Sequence, residues 1–167
     1  MKSKAIIVCG PPAAGKTTHG RKLAAQHHAV LLDIDTVTET MVRASLKAAD
    51  RDPNDRDSPW FKNHFRQPIY DTLFDIAAEN LLAQDVIITG PFTREIQDPH
   101  WPDWLTQRLN APVEIHYVTC PAELRRQRMI SRGEARDLPK LKDWETFLEY
   151  YGKEAPPVFE HTLIKSG

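Results

Sequence analysis

The chain has 167 residues with Lys+Arg 22 against Asp+Glu 23, a formal net charge of −1, which excludes neither a local basic site nor an acidic one but argues against a general nucleic-acid or acidic-membrane binder. Its two cysteines, Cys9 and Cys120, form neither a disulfide framework nor a metal-ligand spacing, and its seven histidines show no metal spacing either. Both thiols read as buried small hydrophobes in a reducing, cytoplasmic setting, and no apolar run approaches the roughly eighteen residues that would span a bilayer.

The N-terminus carries no secretory-signal pattern and enters a strand directly. Lys4 to Cys9 (Lys-Ala-Ile-Ile-Val-Cys) is a short continuous apolar run of the kind a buried parallel strand needs. It leads into Gly10-Pro11-Pro12-Ala13-Ala14-Gly15-Lys16-Thr17, a complete G-x-x-x-x-G-K-[ST], and from Lys16 and Thr18 onward a helical pattern runs to about His28. A polyphosphate needs several donors at once and close approach of backbone, which Gly10 and Gly15 permit. The loop N–H groups and the helix start would then face the anion, Lys16 would bridge its β- and γ-phosphates, and the Thr17 hydroxyl would ligate magnesium.

Ala29 to Ile34 (Ala-Val-Leu-Leu-Asp-Ile) predicts a second buried strand carrying Asp33 and Asp35 at its C-terminal end, where ligands of open parallel sheets bind. Two residues apart on a strand, both carboxylates would share one side and face a magnesium ion and a phosphoryl acceptor; the alternative is ordinary capping of a helix from Thr36 to Ala49. Asp50 to Pro59 is charged and proline-punctuated, an expected exposed loop, and a long helix follows through Leu81 with Arg66 either near substrate or in an ion pair. Asp85 to Gly90 predicts the third strand, ending without an aspartate; Thr89 and Gly90 at its end, with Thr93 and Arg94 just beyond, are candidate substrate-lining positions. The tryptophans Trp101 and Trp104 read as packing anchors.

Val113 to Thr119 predicts strand four. A helix from Pro121 to Gly133 follows, placing Arg125, Arg128 and Arg132 on one face, with Arg136 in the segment after it. Leu141 to Tyr151 predicts an amphipathic helix with Trp144, Phe147, Leu148 and Tyr151 inward, and His161 to Ile164 a short fifth strand.

With the loop, the paired aspartates and the Arg128-Met-Ile-Ser-Arg132 helix followed by Arg136, the chain resembles the small P-loop kinases. That group includes shikimate and gluconate kinases, adenylylsulfate kinase, chloramphenicol phosphotransferase and the kinase domain of polynucleotide kinase. At subfamily level it is most similar to AAA-type ATP-binding proteins of uncertain substrate. The resemblance implies a single α/β domain, a three-layer P-loop NTPase sandwich. Its five-stranded parallel sheet would have order 2-3-1-4-5, with helices on both faces, an acceptor-binding segment at about 36–70 and a small arginine-bearing lid at about 133–140. It further implies ATP and Mg2+ as cofactors, Asp33 holding magnesium through water, Asp35 accepting the acceptor proton, Arg128 against adenine, and Arg132 and Arg136 closing over the phosphates. The acceptor would be a small-molecule hydroxyl bound near Asp35, Arg66, Gly90, Thr93 and Arg94, and the protein a monomer or homodimer. A polynucleotide 5′-kinase and a nucleotide-dependent regulatory switch are the competing readings.

Overall fold

The computed structural model describes residues 2–151 and 155–167, with the backbone alone at Tyr150 and Tyr151. Five strands, β1 (Ala5–Cys9), β2 (Val30–Asp33), β3 (Val86–Thr89), β4 (Val113–Thr119) and β5 (Thr162–Lys165), pair in parallel in the order β2-β3-β1-β4-β5. That is the order the sequence resemblance implied. The helices are α1 (Lys16–His27), α2 (Ile34–Ala48), α3 (Pro59–Asn80), α4 (Trp101–Leu109), α5 (Ala122–Arg132), α6 (Leu138–Lys142) and α7 (Trp144–Tyr151).

The continuous apolar runs are explained by helices on both faces of the sheet. Along β1, Ile7 and Cys9 pack with Leu73 and Phe74 of α3 and Leu105 of α4, whereas Ile6 and Val8 pack with Leu23 of α1 and the partly buried Leu124 of α5. Both cysteines are buried, as expected, and desolvation pushes the Cys9 thiol up to about 12. Trp101 is buried against Phe92, while Trp104 meets Phe74 edge-on and keeps one side in solvent.

Two elements differ from the sequence expectation. Residues 53–58 are half-buried rather than exposed, because their polar groups are satisfied internally. Asp55 accepts from the Ser58 hydroxyl and from the amides of Asp57 and Ser58, and Arg56 reaches Glu39 of α2 at 2.8 Å. The helix expected over Leu141 to Tyr151 is divided at Asp143, whose carboxylate accepts from the Thr146 amide at 3.2 Å and so caps α7. Phe147 is buried and Trp144 and Leu148 are half-buried, as their spacing suggested; the Tyr151 side chain lies outside the described residues.

Gly20 sets how closely α1 approaches the sheet. A Cβ there would stand 2.5 Å from the Thr89 methyl of β3, a strand held by neighbours on either side, and 3.1 Å from a Leu31 methyl of the edge strand β2. Gly20→Ala therefore destabilises the protein by about 1–3 kcal/mol through overpacking, although alanine is the better helix former. The urea midpoint reads the loss, and Thr89→Ser, which removes the methyl, partly restores it.

On the same face of the sheet, His19 Nε2 of α1 lies 2.9 Å from His116 Nδ1 of β4. Burial first, then Lys22, lowers the His19 pKa below the ordinary histidine range; burial first, then His19, lowers that of His116, with Glu114 opposing and Lys4 and His27 assisting. The unfolded chain thus binds protons that the folded pair withholds as the pH falls through about 6.5, so stability is complete above that value and declines below it. Denaturant midpoints are expected to drop between pH 7.5 and 5.5, and the dependence to become shallower in His116→Gln.

Candidate active site

The loop after β1 folds as its glycines require. Gly10 has φ +138° and a Cβ there would run into the Val118 carbonyl oxygen at 2.2 Å; Gly15 has φ +102° at the N-terminus of α1. Ala13 also adopts a positive φ of 60°. The Lys16 ammonium donates to the Pro11 carbonyl at 2.7 Å, which holds it inside the arc of its own loop. Desolvation lowers its pKa to about 8 against the pull of Asp35, Cys9 and Asp33. A cation kept in a partly dehydrated cradle at a helix N-terminus is suited to an anion that restores its lost solvation.

Strand register builds the next part. Asp33 and Thr89 are partners across β2 and β3, and Thr89 is opposite Val8 of β1, two residues before the loop. Asp33 Oδ2 accepts from the Thr17 hydroxyl at 2.6 Å and from the Thr89 hydroxyl at 2.7 Å, while Oδ1 accepts from the amides of Asp35 and Thr36 at 3.2 Å each. Burial raises the Asp33 pKa, but these hydrogen bonds outweigh it and leave the carboxyl below the ordinary carboxylate range. Asp33 thus caps α2, as one of its two readings had it, and its carboxylate also lines the cleft. A lone Thr17–Asp33 pair with an ionised carboxylate at the mouth of the loop fits a magnesium ion in its donor chemistry.

Asp35 does not lie on β2. The strand ends at Asp33 and Asp35 stands in the first turn of α2, so the expected two-residue strand geometry is incorrect; the Asp33 cap turns the chain into a helix one residue later. Asp35 still faces the same cleft, with its side chain 54% exposed.

The arginines separate by position. Arg125, expected on the same face as Arg128 and Arg132, is buried and donates to the Cys120 carbonyl, so it belongs to the packing of α5. Arg128 donates to the Ala13 carbonyl at 3.2 Å and to the Ser166 hydroxyl at 3.0 Å, beside the loop. Arg132 clasps the buried carboxylate of Asp137 at 2.5 and 2.8 Å, which anchors the 3-10 turn Ala135–Asp137 to the end of α5. Arg136, within that turn, reaches Asp35 at 2.8 Å and Glu134 at 2.7 Å. Burial works against its charge, and Asp35, Glu134 and Glu39 outweigh burial, so its pKa is raised.

Lys16, Thr17, Asp33, Asp35, Arg128, Arg132 and Arg136 line a cleft of about 440 Å³ that also takes in Pro12, Thr18, Gly90, Thr93 and Arg94. Arg66 is on its wall too, but in the ion pair that was the plainer of its two readings: Nη2 donates to both Glu95 oxygens at 2.7 Å. Glu39, Arg56, Glu95 and Asp137 were not singled out in the sequence: the first three act through partners distant in the chain, and Asp137 through Arg132 five residues away across the turn that follows α5. Thr89 was read as lining substrate, whereas its hydroxyl is spent on Asp33; the one sequence signal was its place at the end of an apolar strand.

Comparison with known proteins gives the family. The sequence matches the AAA domain family over residues 6–154. A search of curated proteins returns no match. Solved structures with the same fold include a kinase candidate from Chloroflexus aurantiacus j-10-fl, with TM-score 0.65 at 21% identity over 99% of this chain and 85% of that one. Others are a sugar kinase from Janibacter sp. HTCC2649, TM-score 0.62 at 17% identity over 98% and 85%, and a gluconokinase from Sinorhizobium meliloti 1021, TM-score 0.54 at 15% identity over 98% and 82%. With its sheet order, its phosphate loop and this match over most of its length, the chain belongs to the AAA domain family and has the P-loop NTPase fold.

Proposed function

We propose that the protein is an ATP- and magnesium-dependent phosphotransferase that moves the γ-phosphate to a hydroxyl of a small molecule. The observation that carries this reading is the Arg136–Asp35 pair at 2.8 Å in the cleft that also holds Lys16. It sets a carboxylate able to take a proton beside a guanidinium able to stabilise phosphoryl charge, with Lys16 alongside. Phosphoryl transfer asks for this combination of positioning and electrostatics. The kinases among the structures of like fold are consistent with it.

In this reading the loop amides from Gly10 to Thr18 cradle the phosphates, and the Lys16 ammonium leaves the Pro11 carbonyl for them. Arg128 lies on the nucleotide side of the loop. Thr17, with Asp33 behind it through water, would hold magnesium, which when bound neutralises phosphate charge. Asp35 accepts the acceptor proton as the new O–P bond forms and the bond to the ADP oxygen breaks. Arg136 passes from Asp35 to the transferring group, and Arg132 holds the turn that carries it. Closure of this turn would exclude water. Arg66 is already bound to Glu95, which supports a small acceptor over the phosphate backbone of a polynucleotide end. At β3 the terminal side chain is a hydroxyl bound to Asp33 in place of the aspartate that motor-type ATPases carry there, which argues against a motor.

The direct test is transfer of labelled γ-phosphate to a panel of metabolite alcohols, against release of free phosphate. Transfer to at least one alcohol at a rate well above hydrolysis is the expected result; hydrolysis alone would remove the reading. Asp35→Asn is expected to lower transfer by about 10²–10⁴-fold, the range of a lost general base, while calorimetry finds ATP affinity within about twofold of the parent. Thr89→Val leaves Asp33 without its β3 donor. The Mg2+ concentration needed for half-maximal binding of a fluorescent ATP analogue is expected to rise by about 10-fold or more, whereas Thr89→Ser, which keeps the hydroxyl, stays near the parent.

A further inference from the structure

The acceptor half of the cleft has an unusual charge arrangement. Its cations are numerous, yet most are already engaged with carboxylates of the protein. Arg66 gives two of its five N–H groups to Glu95, and its guanidinium lies 5.0 Å over the Tyr70 ring. Arg56 pairs with Glu39 at 2.8 Å and lies 5.3 Å over the Phe61 ring. Lys140 donates to Asp57 at 2.9 Å, and Lys62 is itself engaged. Arg94 is exposed at the rim, where a single solvated charge contributes little. Between these pairs the wall is apolar, formed by Val42 of α2 with Phe61 and Ile69 of α3.

This arrangement discriminates by charge. A carboxylate or phosphate that docks on the remaining Arg66 N–H groups meets the Glu95 carboxylate beside them, and one that takes Glu95's place leaves it uncompensated, with both side chains only 23% exposed. Breaking one partner out of such a pair is costly, whereas a neutral molecule meets no such penalty. Its hydroxyls can accept from the remaining Arg66 and Arg56 N–H groups and donate to the second lone pairs of Glu95 and Glu39, leaving both pairs intact. Its carbon skeleton can lie on the half-buried Ile69, with the largely covered Val42 and Phe61 behind it, a surface that a heavily charged acceptor would not use.

We infer that the phosphoryl acceptor is an uncharged alcohol carrying more than one hydroxyl and an apolar face. It binds with the apolar face on Val42, Phe61 and Ile69 and its hydroxyls on the Arg66–Glu95 and Arg56–Glu39 pairs. The inference rests on the kinase reading above and specifies its acceptor site. Glu95 is then the specificity-determining residue, because it cancels the charge that would otherwise recruit an anion.

The experiment compares kcat/KM for phosphoryl transfer from Mg–ATP to three kinds of probe: cyclohexanediol and phenylpropanediol, their carboxylated counterparts, and glycerol 3-phosphate. The uncharged diols are expected to exceed the charged alcohols by about tenfold or more, a difference of about 1.4 kcal/mol. Glu95→Gln, which keeps an acceptor oxygen but frees the Arg66 charge, is expected to shift the ratio by about tenfold toward the carboxylated probes. Equal or better use of a carboxylated or phosphorylated alcohol by the parent protein overturns the inference and leaves the kinase reading standing, as does an unchanged ratio in Glu95→Gln. Conversion of ATP to ADP and phosphate with no transfer to any alcohol overturns the kinase reading, and the inference with it.

Discussion

The site depends on one carboxylate. Asp33 ends β2, accepts hydroxyl protons from α1 and β3 through Thr17 and Thr89, and receives the first amides of α2. Through it the phosphate loop, two strand ends and the acceptor-side helix are fixed relative to one another. A buried carboxylate with so many donors is stable only as the anion, and the same donors that keep it ionised prescribe where each element begins. Remove any donor and the burial that now raises its pKa acts with less opposition.

That joint also decides where Asp35 goes. Had β2 continued for two residues, Asp35 would hang from a strand whose neighbours are already fixed, and its reach would be set by the sheet. Because Asp33 caps α2, Asp35 enters the first turn of a helix, its amide bound back to Asp33 and its carboxylate near the positive end of the helix. It is thereby placed in the cleft by the same interaction that holds Thr17, and the distance between loop and carboxylate is fixed by one cap.

The elements with continuous apolar runs were legible in the sequence because they are buried on both sides, so composition alone marks β1 and β3; the loop was legible because Gly10 and Gly15 stand where φ is strongly positive. What sequence could not give was pairing at long range. Arg125, Arg128 and Arg132 are equivalent on a helical wheel, yet one packs against Cys120, one touches the loop and one binds Asp137, since only the fold decides what faces each. Arg66 and Glu95 lie 29 positions apart, and neither carries a mark of the other in its own neighbourhood. Asp143 was missed for a different reason: an acidic residue within an amphipathic pattern reads as a solvent-facing position until its capping geometry is seen.

The lid turn joins these observations. Arg132 pins Asp137 at its base, Lys140 ties its far end to Asp57, and Arg136 between them sits on Asp35. The turn is therefore fastened to residues 35–57 through charges, and Asp35, unlike the half-buried Glu95, is exposed enough to return to solvent when another anion takes its place on Arg136. In the proposed reaction a γ-phosphate would offer Arg136 more negative charge than Asp35 does, so transfer of the guanidinium from carboxylate to phosphate would be favoured and would leave the carboxylate unmasked when a phosphate is present to be moved. Under that proposal the turn would couple two requirements, that Asp35 be able to accept a proton and that the phosphate be neutralised, in the position of a single side chain.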